Sequence, residues 1–215
     1  MAKDGLGFIL ALILFSIILT LGSWVSGKML LIGFTVLCWL FLLFSIYFFR
    51  DPERQIPEGD DVIVSPADGK VIEVTEDYEP ELVKEKVNRI SIFMSVLDVH
   101  VNRIPVSGLV THFNYHRGKF FPAFQDVAST DNEQTVIGIK NDKCTLVFKQ
   151  IAGILARRIV CNVREGHQVN KGDRFGLIKF GSRVDIFLDK DIHINVSVNE
   201  HVKGGESVIG KINEK

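Results

Sequence analysis

Arg174-Phe175-Gly176-Leu177-Ile178-Lys179-Phe180-Gly181-Ser182-Arg183-Val184-Asp185-Ile186-Phe187-Leu188 holds two runs rich in β-branched and aromatic residues, joined at a Gly-Ser step. Such runs read as strands. A continuous strand gains nothing from an interior glycine, so Gly181 marks a bulge or a tight turn. The same composition extends outward in both directions. Residues 62–64, 70–74, 89–96, 108–113, 135–140, 144–149, 158–162 and 193–198 are short β-rich segments, and Gly, Pro, Asn or Asp separates many of them. Helical periodicity is weak and confined to the neighbourhoods of 80–86 and 151–156. The pattern predicts a mainly β domain of antiparallel sheets, a barrel or sandwich, α+β overall.

A second kind of sequence precedes this domain. Between residues 5 and 49, Lys28 is the only charge. About 20 apolar residues suffice to cross a bilayer, and the stretch divides at Ser26-Gly27-Lys28 into 6–25 and 29–49. It predicts an N-terminal transmembrane helical hairpin over 1–49, a charged, proline-broken linker over 50–61 and the β domain over 62–215. A cleaved signal peptide would have a shorter apolar core followed by a small-residue cleavage site. A buried helix pair would have to lack any polar face. Lys3 precedes the first helix and Arg50 and Arg54 follow the second, which favours both ends on the cytoplasmic side of the cell membrane. Trp24 and Tyr47 fit as interfacial anchors. The chain carries 25 basic and 26 acidic residues, net −1, and so has no bulk charge to attract nucleic acid. Cys38, Cys144 and Cys161 are an odd set with no C-x-x-C spacing, as expected of buried small residues in a reducing compartment. Residues 163–173 and 202–210 each set a turn glycine between β-branched residues, as in the hammerhead barrels of biotinyl and lipoyl domains. By itself this bears on fold alone and also fits a membrane-anchored adaptor without catalysis.

Four patches carry residues suited to chemistry. In Val64-Ser65-Pro66-Ala67-Asp68-Gly69, Asp68 is a turn carboxylate or a functional one. In Ser95-Val96-Leu97-Asp98-Val99-His100-Val101-Asn102-Arg103, an extended backbone would set Asp98, His100 and Asn102 on one face, where the carboxylate could orient the imidazole; a surface Asp-x-His pair is the plainer reading. The third patch runs from Thr111 to Phe124. His112 and His116 have the i, i+4 spacing of a helical metal pair, yet the segment does not look helical and no acidic third ligand has a recognisable spacing. His116, Arg117 and Lys119, next to Phe120, Phe121 and Phe124, form either a loop contacting phosphate and acyl groups of lipid or a packing loop with solvated charges. The fourth patch is Gly181-Ser182. Beyond a turn, the serine hydroxyl can attack the carbonyl of its own preceding peptide bond. An N→O acyl shift followed by β-elimination would then cut the chain and leave a pyruvoyl group.

The order of these motifs resembles the short-form phosphatidylserine decarboxylase proenzymes, a pyruvoyl-dependent family. They are Ser-Pro-Ala-Asp-Gly, Asp-Val-His-Val-Asn-Arg-Ile-Pro, Asn-Tyr-His-Arg-Gly-Lys-Phe-Phe-Pro-Ala-Phe with Asn132-Glu133, and Arg-Phe-Gly-Leu-Ile-Lys-Phe-Gly-Ser-Arg-Val-Asp. The resemblance covers residues 50 to about 212 and implies a carboxy-lyase. Gly181-Ser182 would be the self-cleavage bond, giving a β chain 1–181 and an α chain 182–215 from one precursor. Ser182 would become the covalent pyruvoyl group, with no metal or external cofactor. That group would form a Schiff base with phosphatidylserine held in the membrane, release CO₂ and yield phosphatidylethanolamine. The resemblance gives Asp68 a role in self-cleavage and His100 the acid–base role in decarboxylation; His116, Arg117, Lys119, Phe120 and Phe121 are the expected substrate-binding residues. Arg103 stands where the long-form enzymes carry a second histidine, which leaves the processing base open, with His100 able to serve self-cleavage as well. An ether-linked archaetidylserine would undergo the same headgroup chemistry, and a homo-oligomer is compatible with the reading.

Overall fold

The computed structural model describes residues 1–79, 82–154, 158–179 and 181–213, with only the backbone of 77–79. The chain divides into two compact units, Met1–Pro52 and Glu53–Lys215.

The first unit is a helical hairpin, α1 (Lys3–Ser26) and α2 (Met29–Phe48). Both helices are long and apolar enough to cross a membrane, and only 17% and 22% of their most apolar stretches are buried. That low coverage is unlike the core helices of a water-soluble globule. Small and weakly polar residues line the seam between them, as close packing of apolar helices favours. Ser16 Oγ meets Cys38 Sγ at 3.2 Å, and Trp39 Nε1 donates to Thr20 Oγ1 at 3.1 Å. The Ala2 N–H donates to the Phe49 carbonyl at 2.9 Å, so both ends of the hairpin lie together. Beside them the Arg50 guanidinium lies 3.9 Å from the centre of the Tyr47 ring.

The second unit is antiparallel β structure. Its elements are β1 (Val62–Val64), β2 (Gly69–Glu79), β3 (Glu85–Met94), β4 (Val101–Arg103), β5 (Gly108–His116), the short helix α3 (Ala128–Asp131), β6 (Gln134–Lys140), β7 (Thr145–Ala152), β8 (Ile159–Cys161), β9 (Gln168–Val169), β10 (Arg174–Ile178), β11 (Ser182–Leu188), β12 (Ile192–Ile194), β13 (His201–Val202) and β14 (Val208–Ile212). An eight-stranded sheet runs β13-β2-β3-β11-β7-β6-β5-β9, and two three-stranded sheets run β1-β14-β12 and β4-β10-β8. The expected fold class, mainly β with an apolar helical hairpin in front, is what the chain adopts. Strands β4, β9, β13 and β14 were absent from the sequence reading, as was α3. The helical expectation at 80–86 falls partly on 80 and 81, outside the described residues; Glu85 and Lys86 open β3. Of 151–156, Ile151 and Ala152 close β7, while 155 and 156 also lie outside the described residues.

Strand β11 sits mid-sheet between β3 and β7, with Ser182 opposite Met94 and Ala152. Its period of two separates two environments. Val184, Ile186 and Leu188 enter the main core with Ile90, Ile92, Met94 and Phe148. Arg183, Asp185 and Phe187 take the other face, where Phe187 packs with Val87, Val136 and Val147. Arg183 and Asp185 are fully buried there, and Arg183 Nε donates to Asp185 Oδ1 at 2.5 Å. Arg183 Nη2 also donates to Ser91 Oγ at 2.7 Å. Removing one member of such a pair costs about 3–5 kcal/mol, because the other charge is stranded.

Candidate active site

Gly181 and Ser182 form the entry to β11. Gly181 has φ 68°, a left-handed backbone that other residues adopt at a cost, and a Cβ added to it would meet nothing within 4 Å. Ser182 is fully buried on the inner face, and its Oγ donates to Met94 Sδ at 3.2 Å. The Gly181 N–H points at His100 Nε2, 3.4 Å away. The Gly181 carbonyl turns toward the end of β7, where a Cβ on Gly153 would stand 2.4 Å from its oxygen. Gly153 is thus the residue that admits this carbonyl.

His100 is 2% exposed. Its Nδ1 lies 3.0 Å from the Asp98 backbone carbonyl. A carbonyl only accepts, so Nδ1 carries the proton and Nε2 presents its lone pair toward Gly181. This differs both from the carboxylate–imidazole contact that an extended backbone would allow and from a surface Asp-x-His pair, since His100 is buried. Residues 95–98 form a turn rather than a strand, in which the Asp98 carboxylate accepts the Ser95 N–H at 2.7 Å. The aspartate orients the histidine through its main chain.

Asp68 is likewise partnered by something other than histidine. Arg54 Nη2 donates to its carboxylate at 2.7 Å, and the Gly204 N–H does so at 2.8 Å. Burial pushes the Asp68 carboxyl above the ordinary carboxylate value; the Gly204 N–H and Arg54 oppose that rise and Asp98 adds to it. The Asp68 turn reaches Ser182 through neighbours. Asn102 Nδ2 donates to the Pro66 carbonyl at 3.5 Å and lies 3.7 Å from Met94 Sδ, the sulfur that the Ser182 hydroxyl contacts. Gln150 Nε2 donates to Asn102 Oδ1 at 2.9 Å, and Thr135 Oγ1 donates to Gln150 Oε1 at 2.8 Å. Arg103 donates from Nη1 to the Gly172 carbonyl at 3.0 Å.

The aromatic and basic loop splits between two places. A cavity of about 470 Å³ opens at Gly181 and Gly153, walled by Phe93, Val96, Pro122, Phe124 and Ile154. Phe124 is 62% exposed and meets Phe93 edge-on, ring centres 6.2 Å apart. His116 and Arg117 line a different cleft, with Gln134 and Lys149. Lys119 pairs with Asp131 at 3.1 Å. Phe121 is held by Asn132, which accepts its N–H at 2.8 Å and donates to its carbonyl at 2.8 Å, while a second bond from Asn132 Nδ2 reaches the Ala152 carbonyl at 2.7 Å. Of the expected substrate-binding residues, none lines the cavity at Gly181; Phe124 does. His112 and His116 both belong to β5, so their spacing places them about 13 Å apart along a strand instead of on one helical turn.

A family model described as phosphatidylserine decarboxylase matches residues 41–210. The chain belongs to the phosphatidylserine decarboxylase family. It is similar to the phosphatidylserine decarboxylase proenzyme of Syntrophus aciditrophicus, 45% identical over 97% of this chain and 96% of that one. The proenzymes of Amoebophilus asiaticus and Ehrlichia chaffeensis are 49% and 47% identical over 79% and 83% of this chain, covering 76% and 80% of their own lengths. In this phosphatidylserine decarboxylase family member, the residues that sequence reading did not connect with the site are Gly153, Met94, Gln150 and Arg54, the last read only as a membrane-flanking charge. Each reaches the site through a contact distant in sequence. Asn102 was partly legible, since it alternates with His100.

Proposed function

We propose that the chain is a phosphatidylserine decarboxylase that cuts itself between Gly181 and Ser182 and converts phosphatidylserine to phosphatidylethanolamine and CO₂. In self-cleavage, Ser182 Oγ adds to the Gly181 carbonyl carbon and the C–N bond breaks, leaving an ester and a free Ser182 amine. Loss of the Ser182 α proton then expels the Gly181 carboxylate. Water hydrolyses the resulting dehydroalanine, after tautomerisation to the imine, to a pyruvoyl group and ammonia. The observation that carries this reading is the junction itself: a buried serine hydroxyl follows a left-handed glycine whose carbonyl is admitted by the bare Gly153.

The same surroundings fit a small keto cap at residue 182. The space beside Gly181 is open, and the apolar cavity begins there. When formed, the cap supplies an electron sink for the pair released as CO₂ departs, by condensing with the substrate amine. His100 Nε2 holds or returns the proton on the reacting side, with its tautomer fixed by the Asp98 carbonyl. Asp68 acts in self-cleavage through the 66–68 turn, which Asn102 links to Met94. The apolar walls around Phe124 shelter the glycerol and upper acyl region of a lipid that stays in the bilayer.

The hairpin anchors the enzyme in the cell membrane. Its two ends meet at the Ala2–Phe49 bond and carry Lys3 and Arg50, so the proposed orientation has both on the cytoplasmic side. Nanodiscs containing either ester-linked phosphatidylserine or its ether-linked archaeal counterpart test the substrate. The reading predicts CO₂ and the corresponding ethanolamine lipid from phosphatidylserine, with loss of activity after borohydride reduction. Activity that survives reduction would oppose it.

A further inference from the structure

We infer that the cleft on the outer face of the eight-stranded sheet, between Lys149, Gln134, His116 and Arg117, binds a phosphoryl anion with a hydrogen-bond donor beside it, as in a glycerophosphate headgroup. The cleft measures about 320 Å³, and its lining shares no residue with the cavity at Gly181.

Lys149 projects from the middle of β7 and is 7% exposed. Across the strand stands Asp185, the carboxylate nearest in register, but both of its oxygens are committed. Oδ1 accepts Arg183 Nε at 2.5 Å and Oδ2 accepts Ser129 Oγ at 2.6 Å. What Lys149 has instead is the face of Phe187, with Nζ 5.2 Å from the ring centre. A cation–π contact only partly offsets the cost of desolvating an ammonium, so an anion in the cleft would complete the site.

Gln134 shows what accompanies that anion. Its Nε2 donates to the Thr130 carbonyl at 3.3 Å, which fixes the amide's orientation and leaves the buried Oε1 without a donor. Arg117 is exposed at the mouth and adds a second cation. The neighbouring carboxylates face other groups: Asp131 pairs with Lys119 at 3.1 Å, and Glu133 lies beside the Tyr115 hydroxyl, where burial first and then Glu133 hold the phenol proton more tightly. The lining therefore offers positive charge and one unfilled acceptor. A glycerophosphate satisfies both, with a phosphoryl oxygen on Lys149 and Arg117 and a hydroxyl donated to Gln134 Oε1.

The test uses the full chain in phosphatidylcholine nanodiscs, titrated with sn-glycerol 3-phosphate and followed by ³¹P line broadening. Broadening is expected with wild type and with Ser182→Ala, because the site is independent of the reaction at Ser182. About tenfold weaker binding is expected for Lys149→Met, for Arg117→Gln and, with wild type read by competition, for sulfate, which lacks the donor. Nanodiscs that include phosphatidylglycerol identify the source: displacement of glycerol phosphate assigns the site to bilayer headgroups, and persistence assigns it to soluble phosphates. No broadening with wild type, equal broadening with Lys149→Met and Arg117→Gln, or its loss in Ser182→Ala would overturn the inference.

Discussion

The carbonyl oxygen of Gly181 occupies the place that a side chain on Gly153 would fill: a Cβ there would stand 2.4 Å from the oxygen and 3.2 Å from the carbonyl carbon. The bond proposed to break is thus positioned by the end of a neighbouring strand. Gly153→Ala should push the carbonyl out of reach of the Ser182 hydroxyl. Overpacking of this kind costs about 1–3 kcal/mol, so self-cleavage should slow by about 10- to 100-fold if the strain falls on the reacting geometry. Time-resolved gel analysis gives the rate, and hydroxylamine cleavage reports the ester. A variant that folds and matures at the wild-type rate would remove Gly153 from the account.

His100 and Asp98 make separable predictions. His100→Ala in correctly cleaved protein should lower turnover by about 10²- to 10⁴-fold, the range for a positioned acid–base group. Asp98→Asn should change turnover little, because the imidazole is held by the Asp98 main-chain carbonyl at 3.0 Å. Steady-state kinetics on both variants decides the matter. A large loss in Asp98→Asn would restore the carboxylate–imidazole pair.

For Asp68 the sign follows from burial. The folded chain holds its proton more tightly than an unfolded carboxyl of ordinary value 3.8 does, so this group's contribution favours folding at low pH. That contribution declines as pH rises from 3.8 through the raised folded value. If the ionised carboxylate serves self-cleavage, the rate should rise over the same interval. Arg54→Gln removes the cation that opposes the rise. Its cleavage profile should therefore shift toward higher pH, measured by quenched maturation assays across acidic buffers. An unshifted profile would separate Asp68 ionisation from cleavage.

Phe124, and not Phe120 or Phe121, lines the cavity at Gly181. Phe124→Ser should raise KM for phosphatidylserine in bilayers while sparing a water-soluble short-chain analogue. Phe120→Ser should leave both nearly unchanged. Parallel kinetics on the two substrates reads this directly; equal effects of Phe124→Ser on both would exclude an acyl-sheltering role.

Much of the fold was legible because its signals are local. The run broken only by Lys28 and the β-branched segments around Gly181 each declare themselves within a short window. Strands β4, β9 and β13 are two or three residues long and escape such windows. Sequence reading could name Ser182 and His100 because the proposed chemistry needs those residue types. The site was illegible where a neighbour matters for what it lacks, as at Gly153, or where charge is settled by a distant partner. Asp68 against Arg54 and Arg183 against Ser91 are of the latter kind. The basic and aromatic loop was hard to place because adjacent residues diverge: His116 and Arg117 line one cleft and Phe124 another.

Intact mass spectrometry of freshly purified protein tests the central claim most directly. The account predicts two fragments, 1–181 and 182–215, the smaller bearing a pyruvoyl group in place of its N-terminal serine, and a single uncut chain for Ser182→Ala. A wild-type protein recovered as one 24.2 kDa chain with an unmodified Ser182 would contradict it.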